Sequence, residues 1–373
     1  MTDFASPLVA RDDRLFLDAT FALARGDLDA ARAICASPSF EPTSFVDFLV
    51  FHRLAGLVHV AIDGTPLAER WTRADRDRLA HAYLAQWTKN ERLAIAACRL
   101  ALAFGAAGCG VVFLKGHHLA LELFGDLGKR GLSDVDLLVR PDDAERAAEI
   151  LRVEGWTRRS RALFGERAAG RFTHAAEFDA PAGPVDLHWL LANHPSYRID
   201  YDALWARRRP FHLGAETVDV LDSEYALVFR LVEIAKDVEL GSITLKPFVD
   251  VHAMLRVQGA HVDWNAFFAA RRREGIARTC ASVLGLALDL FGPAERRPDL
   301  ENALERNGCV AAPQALRARI ARPGSVARSF GERIWAARLY ETSLARAFGW
   351  WAVSLPFRID AHRPARDPAG AAG

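Results

Sequence analysis

The stretch Arg130-Gly131-Leu132-Ser133-Asp134-Val135-Asp136-Leu137-Leu138-Val139 sets two carboxylates one residue apart at the head of an apolar run. In an extended strand, residues i and i+2 share a face. Asp134 and Asp136 are therefore expected to stand together, with Val135 and Leu137 opposite. Two like charges about 4 Å apart repel by roughly 4 kcal/mol at an effective dielectric near 20. A fold that keeps such a pair relieves it with a cation or a shared proton. Mg²⁺, a hard ion that takes one or two carboxylates plus substrate phosphates, suits the task best. The competing reading is a solvated pair at a strand start, and the Leu-Leu-Val that follows favours the buried one.

Along the chain, residues 12–107 read as helical. Apolar positions recur every three or four residues from Leu15 onward, a helix is expected over Ser44–Ile62, and another runs from Arg73 to Phe104. The pattern then changes. Cys109–Leu114 reads as a buried strand, His117–Phe124 as a short helix, Gly125–Ser133 as a loop and Val135–Val139 as a strand. Pro141 opens a helix through Glu154, stopped by Gly155, and Trp156–Ser160 reads as a strand. Thr173–Asp179 and Val185–Leu191 flank the Pro181-Ala182-Gly183-Pro184 turn, and a hairpin follows around Gly214-Ala215-Glu216. Helices resume over 224–238, 246–257, 263–273 and 276–291. Gly292–Pro323 reads as a linker or irregular cap, with a last helix over 326–352. The expected organisation is α+β: a helical N-terminal region (1–107), a small mixed-sheet core (108–222), a helical C-terminal region (223–291), a linker and terminal helix (292–362) and a disordered tail (363–373).

A third carboxylate follows in Pro184-Val185-Asp186-Leu187-His188-Trp189. Alternation puts Asp186 and His188 on one face of the strand. A D-x-D strand, a third carboxylate on a neighbouring strand and a glycine turn before them suit metal-assisted phosphoryl transfer. In that chemistry two ions about 3.5–4 Å apart steady the attacking and leaving oxygens.

Taken in order, Lys115-Gly116, then R-x-x-S-D-x-D-L-L-V, then V-D-L-H-W, the chain resembles the bacterial uncharacterised nucleotidyltransferase family of the polymerase-beta-like superfamily. The resemblance covers about residues 10–290. It implies a nucleotidyltransferase core that moves an NMP from an NTP, ATP included, to an acceptor hydroxyl or phosphate with release of pyrophosphate. It assigns Asp134, Asp136 and Asp186 to the metal and to catalysis. The metal would be Mg²⁺, with Mn²⁺ as a substitute. Lys115, Gly116, Arg130, Ser133, His188 and Lys246 are placed at the nucleotide. The chain departs from the superfamily in having His117 where a Ser usually follows the glycine, and in the long gap from Gly116 to Asp134. Glu233 stands where a His is expected, and no role follows for it; Lys236 and Asp250 fall near family positions. Family analogy points to a peptide or sugar acceptor. Two alternatives stay open: a catalytically inactive nucleotide- or peptide-binding accessory protein, and a toxin-like transferase acting on tRNA.

Composition bounds these readings. A net charge of +1 over 373 residues provides no broad field for nucleic acid or membrane, which argues against a large RNA footprint. The five cysteines are scattered, with no C-x-x-C, and read as reduced residues of a cytoplasmic protein. No signal peptide and no span of ~18 apolar residues is expected. His174, His188 and His194 lack zinc spacing. Arg207–Arg209 and Arg271–Arg273 read as solvated faces, and residues 345–353 as core packing of a terminal helix before a membrane or partner patch.

Overall fold

The computed structural model describes residues 13–159, 174–194, 196–292, 295–321 and 329–340. The N-terminal helices are α1 (Asp13–Ala24), α2 (Leu28–Cys35), α3 (Pro42–Phe51), α4 (Ala55–Ile62) and the long α5 (Arg73–Ala106). Local chemistry starts several of them. Asp27 caps α2 by accepting from the Ala30 N–H, Pro42 opens α3, and Thr72 caps α5 by accepting from the Asp75 N–H. Asp75 also accepts from Thr43 Oγ1 at 3.0 Å, which ties α3 to the start of α5.

The single helix expected over Ser44–Ile62 is two. The break falls at His52-Arg53-Leu54, where Arg53 takes φ +58°, the one non-glycine residue with positive φ among those described. Burial explains it: His52 and Leu54 are 1% and 2% exposed, and His52 Nδ1 accepts the Leu245 N–H at 3.0 Å. A straight helix could not bring both inside.

The strands are β1 (Val112–Phe113), β2 (Val135–Leu138), β3 (Thr157–Arg158), β4 (Ala175–Asp179), β5 (Val185–His188), β6 (Arg209–Leu213) and β7 (Glu216–Val220). They form one mixed sheet in the order β3-β4-β5-β2-β1-β7-β6. The β4–β5 and β6–β7 pairs are the antiparallel hairpins that the turn residues predict, while β2–β5 and β1–β7 pair in parallel. The strand expected over Cys109–Leu114 shortens to two ladder residues. α6 (His117–Phe124), α7 (Ala144–Val153) and α8 (Tyr201–Ala206) lie between strands in the chain.

Alternation gives the sheet two faces. Phe113, Val135, Leu137, Val185 and Leu187 pack with Leu93, Leu100 and Phe104 of α5 and Leu151 of α7 in one hydrophobic cluster. Val112 and Leu138, on the other face, join the larger cluster built from the N-terminal helices and the C-terminal helices α9 (Ser223–Leu240), α10 (Lys246–Gln258), α11 (Trp264–Arg273) and α12 (Ala277–Phe291). Phe21 meets Phe291 at 4.9 Å between ring centroids, so α1 and α12 share a core. Asp136, Asp186 and His188 stand on this second face.

Gly292–Pro323, read as linker, carries α13 (Pro298–Arg306) and α14 (Gln314–Ala321). Its charge hides a short apolar stripe: Leu300, Ala303, Leu304, Leu316 and Ile320 are buried. The last described helix, α15 (Phe330–Arg338), is capped by Ser329. Residues 345–353 and the tail at 363–373 lie outside the described residues. The five cysteines are free, and no helix among the described residues is long and apolar enough to cross a membrane.

Candidate active site

The site begins where β1 ends. Gly116 has φ +110° and ψ −116°, a conformation that side chains resist, and it turns the chain from Lys115 straight into α6. His117 and His118, the first residues of α6, are buried; His117 Nε2 lies 3.0 Å from the Asn90 carbonyl.

The loop leading to β2 is clamped by α5. Tyr83 donates to Asp126 Oδ2 at 2.9 Å, Gln86 Nε2 to the Gly128 carbonyl at 2.7 Å, and Asn90 Nδ2 to the Arg130 carbonyl at 2.8 Å. Asn90 Oδ1 accepts the Leu132 N–H at 3.1 Å. These three residues recur along one helix face. The loop lies so close that a Cβ on Gly128 would fall 2.2 Å from the Tyr83 ring. The approach to the D-x-D pair is thus set by a helix that contributes no carboxylate to it.

In the parallel β2–β5 ladder Asp136 pairs directly with Asp186, and Asp186 pairs with Glu177 across β5–β4. His188 Nε2 lies 3.3 Å from Asp136 Oδ1. One ligand atom each from Asp136, Asp186 and His188 falls within 4.8 Å of the others. Asp136 Oδ2 is buried without a hydrogen-bond partner, an orphan that this donor set would satisfy on a cation. Asp134 precedes β2, is half-buried, accepts a hydrogen bond from Ser133, and stands outside that three-residue group.

The electrostatics are those of a site short of positive charge. Burial opposes ionisation of Asp136, but the Lys115 ammonium and His188 overcome it and hold its carboxyl below the usual range. Burial, then the charges of Asp136 and Asp134, push Asp186 up to about 8. Burial and Asp136 raise Asp134 as well. One carboxylate takes the available cation, and its neighbours tend to keep their protons.

Behind the carboxylates runs a buried chain of alternating charge. Asp250 accepts from Arg130 Nε and Nη2 at 2.8 and 2.9 Å and lies 3.1 Å from Arg230 Nη2. Arg230 Nη1 meets Glu233 Oε2 at 2.8 Å, and Glu233 Oε1 meets Lys115 Nζ at 2.6 Å. Lys115 in turn lies 3.1 Å from Asp136 Oδ1. Arg130 also donates to the Gly116 carbonyl at 3.3 Å. Arg130, placed at the nucleotide by resemblance, therefore has its guanidinium occupied by Asp250, and Lys115 is shared between two carboxylates. Lys246 opens α10 and forms no ion pair among the described residues; burial, then the charge of Arg130, lower it to about 7. Lys89 of α5 is near enough to Asp134 to feel its charge.

Sequence reasoning missed Arg230, Asn90, Gln86 and Lys89 and gave Glu233 no role. For Arg230 and Glu233 a signal exists: both interrupt an apolar helical run from Ala226 to Ala235, where an unpaired charge would be expensive. Asn90 carries no such mark.

A family model described as uncharacterised nucleotidyltransferase matches residues 38–292, more than half of the chain. No curated protein and no solved structure matches it. The matched span includes α5, the whole sheet and α9–α12, and so every residue of the site described above. With a D-x-D strand laddered to a third carboxylate inside a mixed sheet flanked by helices, the chain belongs to the uncharacterised nucleotidyltransferase family, whose common work is nucleotidyl transfer from an NTP.

Proposed function

We propose that this protein transfers an NMP from an NTP to an acceptor hydroxyl or phosphate, with a divalent cation held by Asp136, Asp186 and His188 and with Asp134 on the nucleotide side. The observation that carries the reading is the in-register pair Asp136–Asp186 with His188 beside it and the buried, unpartnered Asp136 Oδ2. A bound cation would supply charge neutralisation for the triphosphate and the departing pyrophosphate. Two carboxylates suit Mg²⁺, and the imidazole makes Mn²⁺ an equally good occupant.

The chain's own residues divide the remaining work. Asp136, kept ionised by Lys115 and His188, is the fixed anion of the site. Asp186, its in-register neighbour, completes the carboxylate set around the cation and is the group placed to take the proton of the acceptor hydroxyl. Gly116 lets the backbone approach the phosphates at the start of α6. Lys246, which forms no ion pair among the described residues, is the triphosphate ligand this arrangement favours, and Lys115 and Arg130 act through the carboxylates they hold. The acceptor's class rests on family analogy alone, a peptide or a sugar.

Calorimetric titration of each of the four NTPs, with Mg²⁺ and with EDTA, tests the reading in wild type and Asp136→Asn. Metal-dependent binding that vanishes in the variant is the expected result and names the donor. Equal affinity with Mg²⁺ and with EDTA would leave a nucleotide-binding accessory protein instead.

A further inference from the structure

The site already contains a cation of its own. The Lys115 ammonium lies 3.1 Å from Asp136 Oδ1 and 2.6 Å from Glu233 Oε1, shared between a carboxylate of the candidate metal cluster and one on α9 outside it. The two oxygens of Glu233 are divided between Lys115 and Arg230, whose Nη1 sits 2.8 Å from Oε2. Packing of α9 does not call for such a group, since it stands in an apolar run where desolvation works against it.

A divalent cation entering the group of Asp136, Asp186 and His188 meets the Lys115 ammonium as a like charge drawn to the same Oδ1. If the ammonium gives up Asp136, it still needs a partner, because a buried charge stripped of its counterion is strongly destabilising. Resting on the metal reading above, we propose that Glu233 is a positioning residue that provides this partner. It is the second berth of the Lys115 ammonium, and through Lys115 it sets how tightly the site takes a divalent cation. With Glu233 in place the ammonium withdraws from Asp136 without becoming unpaired. Arg230 keeps Glu233 ionised and aimed.

Mn²⁺ binding to the full chain, read by calorimetry and by the paramagnetic resonance of free Mn²⁺, separates the possibilities. Glu233→Gln leaves Asp136 as the one ion-pair partner of the ammonium among the described residues, and the Mn²⁺ affinity should fall about tenfold, or ~1.4 kcal/mol. Lys115→Met removes the competitor and should tighten Mn²⁺. In the Lys115→Met background, Glu233→Gln should then change nothing. An unchanged affinity in Glu233→Gln, or the same loss in both backgrounds, overturns the inference, the second outcome because Glu233 would be acting through the fold. Should Glu233→Gln fail to fold, Glu233→Asp keeps the charge on Arg230 but shortens the reach to Lys115, and it should weaken Mn²⁺ in the same direction. Wild-type binding that Asp136→Asn abolishes supports the metal reading independently. No Mn²⁺ binding in wild type removes that reading and this inference together, whereas binding indifferent to Glu233 overturns this inference alone.

Discussion

Asp136 and Asp186 are direct partners in a parallel ladder between β2 and β5, so two carboxylates fifty residues apart in the chain stand side by side on one sheet face. Their protonation is pushed in opposite directions, Asp136 down by Lys115 and His188 against its burial, and Asp186 up by burial and by Asp136 itself. That asymmetry makes the pair a candidate for both holding a cation and moving a proton, and the first expectation concerns the cation.

Asp136→Asn keeps the shape of the side chain and removes its charge. Metal-dependent NTP binding and nucleotidyl transfer should fall on the order of 10²-fold or more, the scale on which preorganised electrostatic groups act. The circular dichroism spectrum should be unchanged, because Lys115 retains Glu233. Transfer of an α-labelled phosphoryl group at wild-type rate would remove Asp136 from the mechanism.

Asp250→Ala leaves two buried guanidinium groups, Arg130 and Arg230, without their shared carboxylate. Removal of one partner of a buried pair costs about 3–5 kcal/mol, and the loss should appear as a lower urea midpoint. Because Arg130 also holds the Gly116 carbonyl, NTP affinity should fall in the same variant at temperatures where it remains folded. A midpoint equal to wild type would mean that the network contributes nothing net.

Asn90→Ala removes the part of the α5 clamp nearest β2. The Arg130 carbonyl and the Leu132 N–H lose their partner, at about 1–3 kcal/mol for each buried group left unsatisfied. Amide exchange at Leu132 should accelerate far more than exchange in α9. Uniform acceleration across the protein would show that Asn90 supports global stability rather than this loop.

The pH dependence follows from Asp186. Its folded pKa, about 8, lies above the ordinary value of about 3.9 for an unfolded Asp. Between these values the folded state binds the extra proton, so stability attributable to Asp186 is complete below pH ~4 and is lost as pH rises toward 8. In EDTA, the melting temperature of wild type minus that of Asp186→Asn should therefore decline from pH 5 to pH 8 and level above it. A difference that stays flat from pH 5 to pH 8 would mean Asp186 is ionised in the folded state.

Much of this arrangement is legible locally. The apolar run after Asp136, the glycine and proline turn before Asp186 and the Lys-Gly step at the end of β1 each declare their element through period and turn chemistry. So do most helices, because burial of one face every three or four residues leaves a pattern in the chain. The Ser44–Ile62 helix fails at Arg53 because its break is decided by the burial of His52 and Leu54 against distant residues. The Gly292–Pro323 stretch misleads because charge on the exposed side masks buried apolar positions such as Leu300, Leu316 and Ile320.

The sequence by itself determined that two carboxylates stand one residue apart at the head of a strand and that a third follows on another. Only the tertiary structure decided that β2 and β5 run parallel in register, that His188 rather than Asp134 completes the three-residue group, and that Lys115 is shared with Glu233. The pairs Lys115–Glu233 and Arg130–Asp250 are separated by 118 and 120 residues. No local period encodes such partners. They are selected when desolvation makes every unpaired charge expensive, and that cost exists only once the helices close over the sheet.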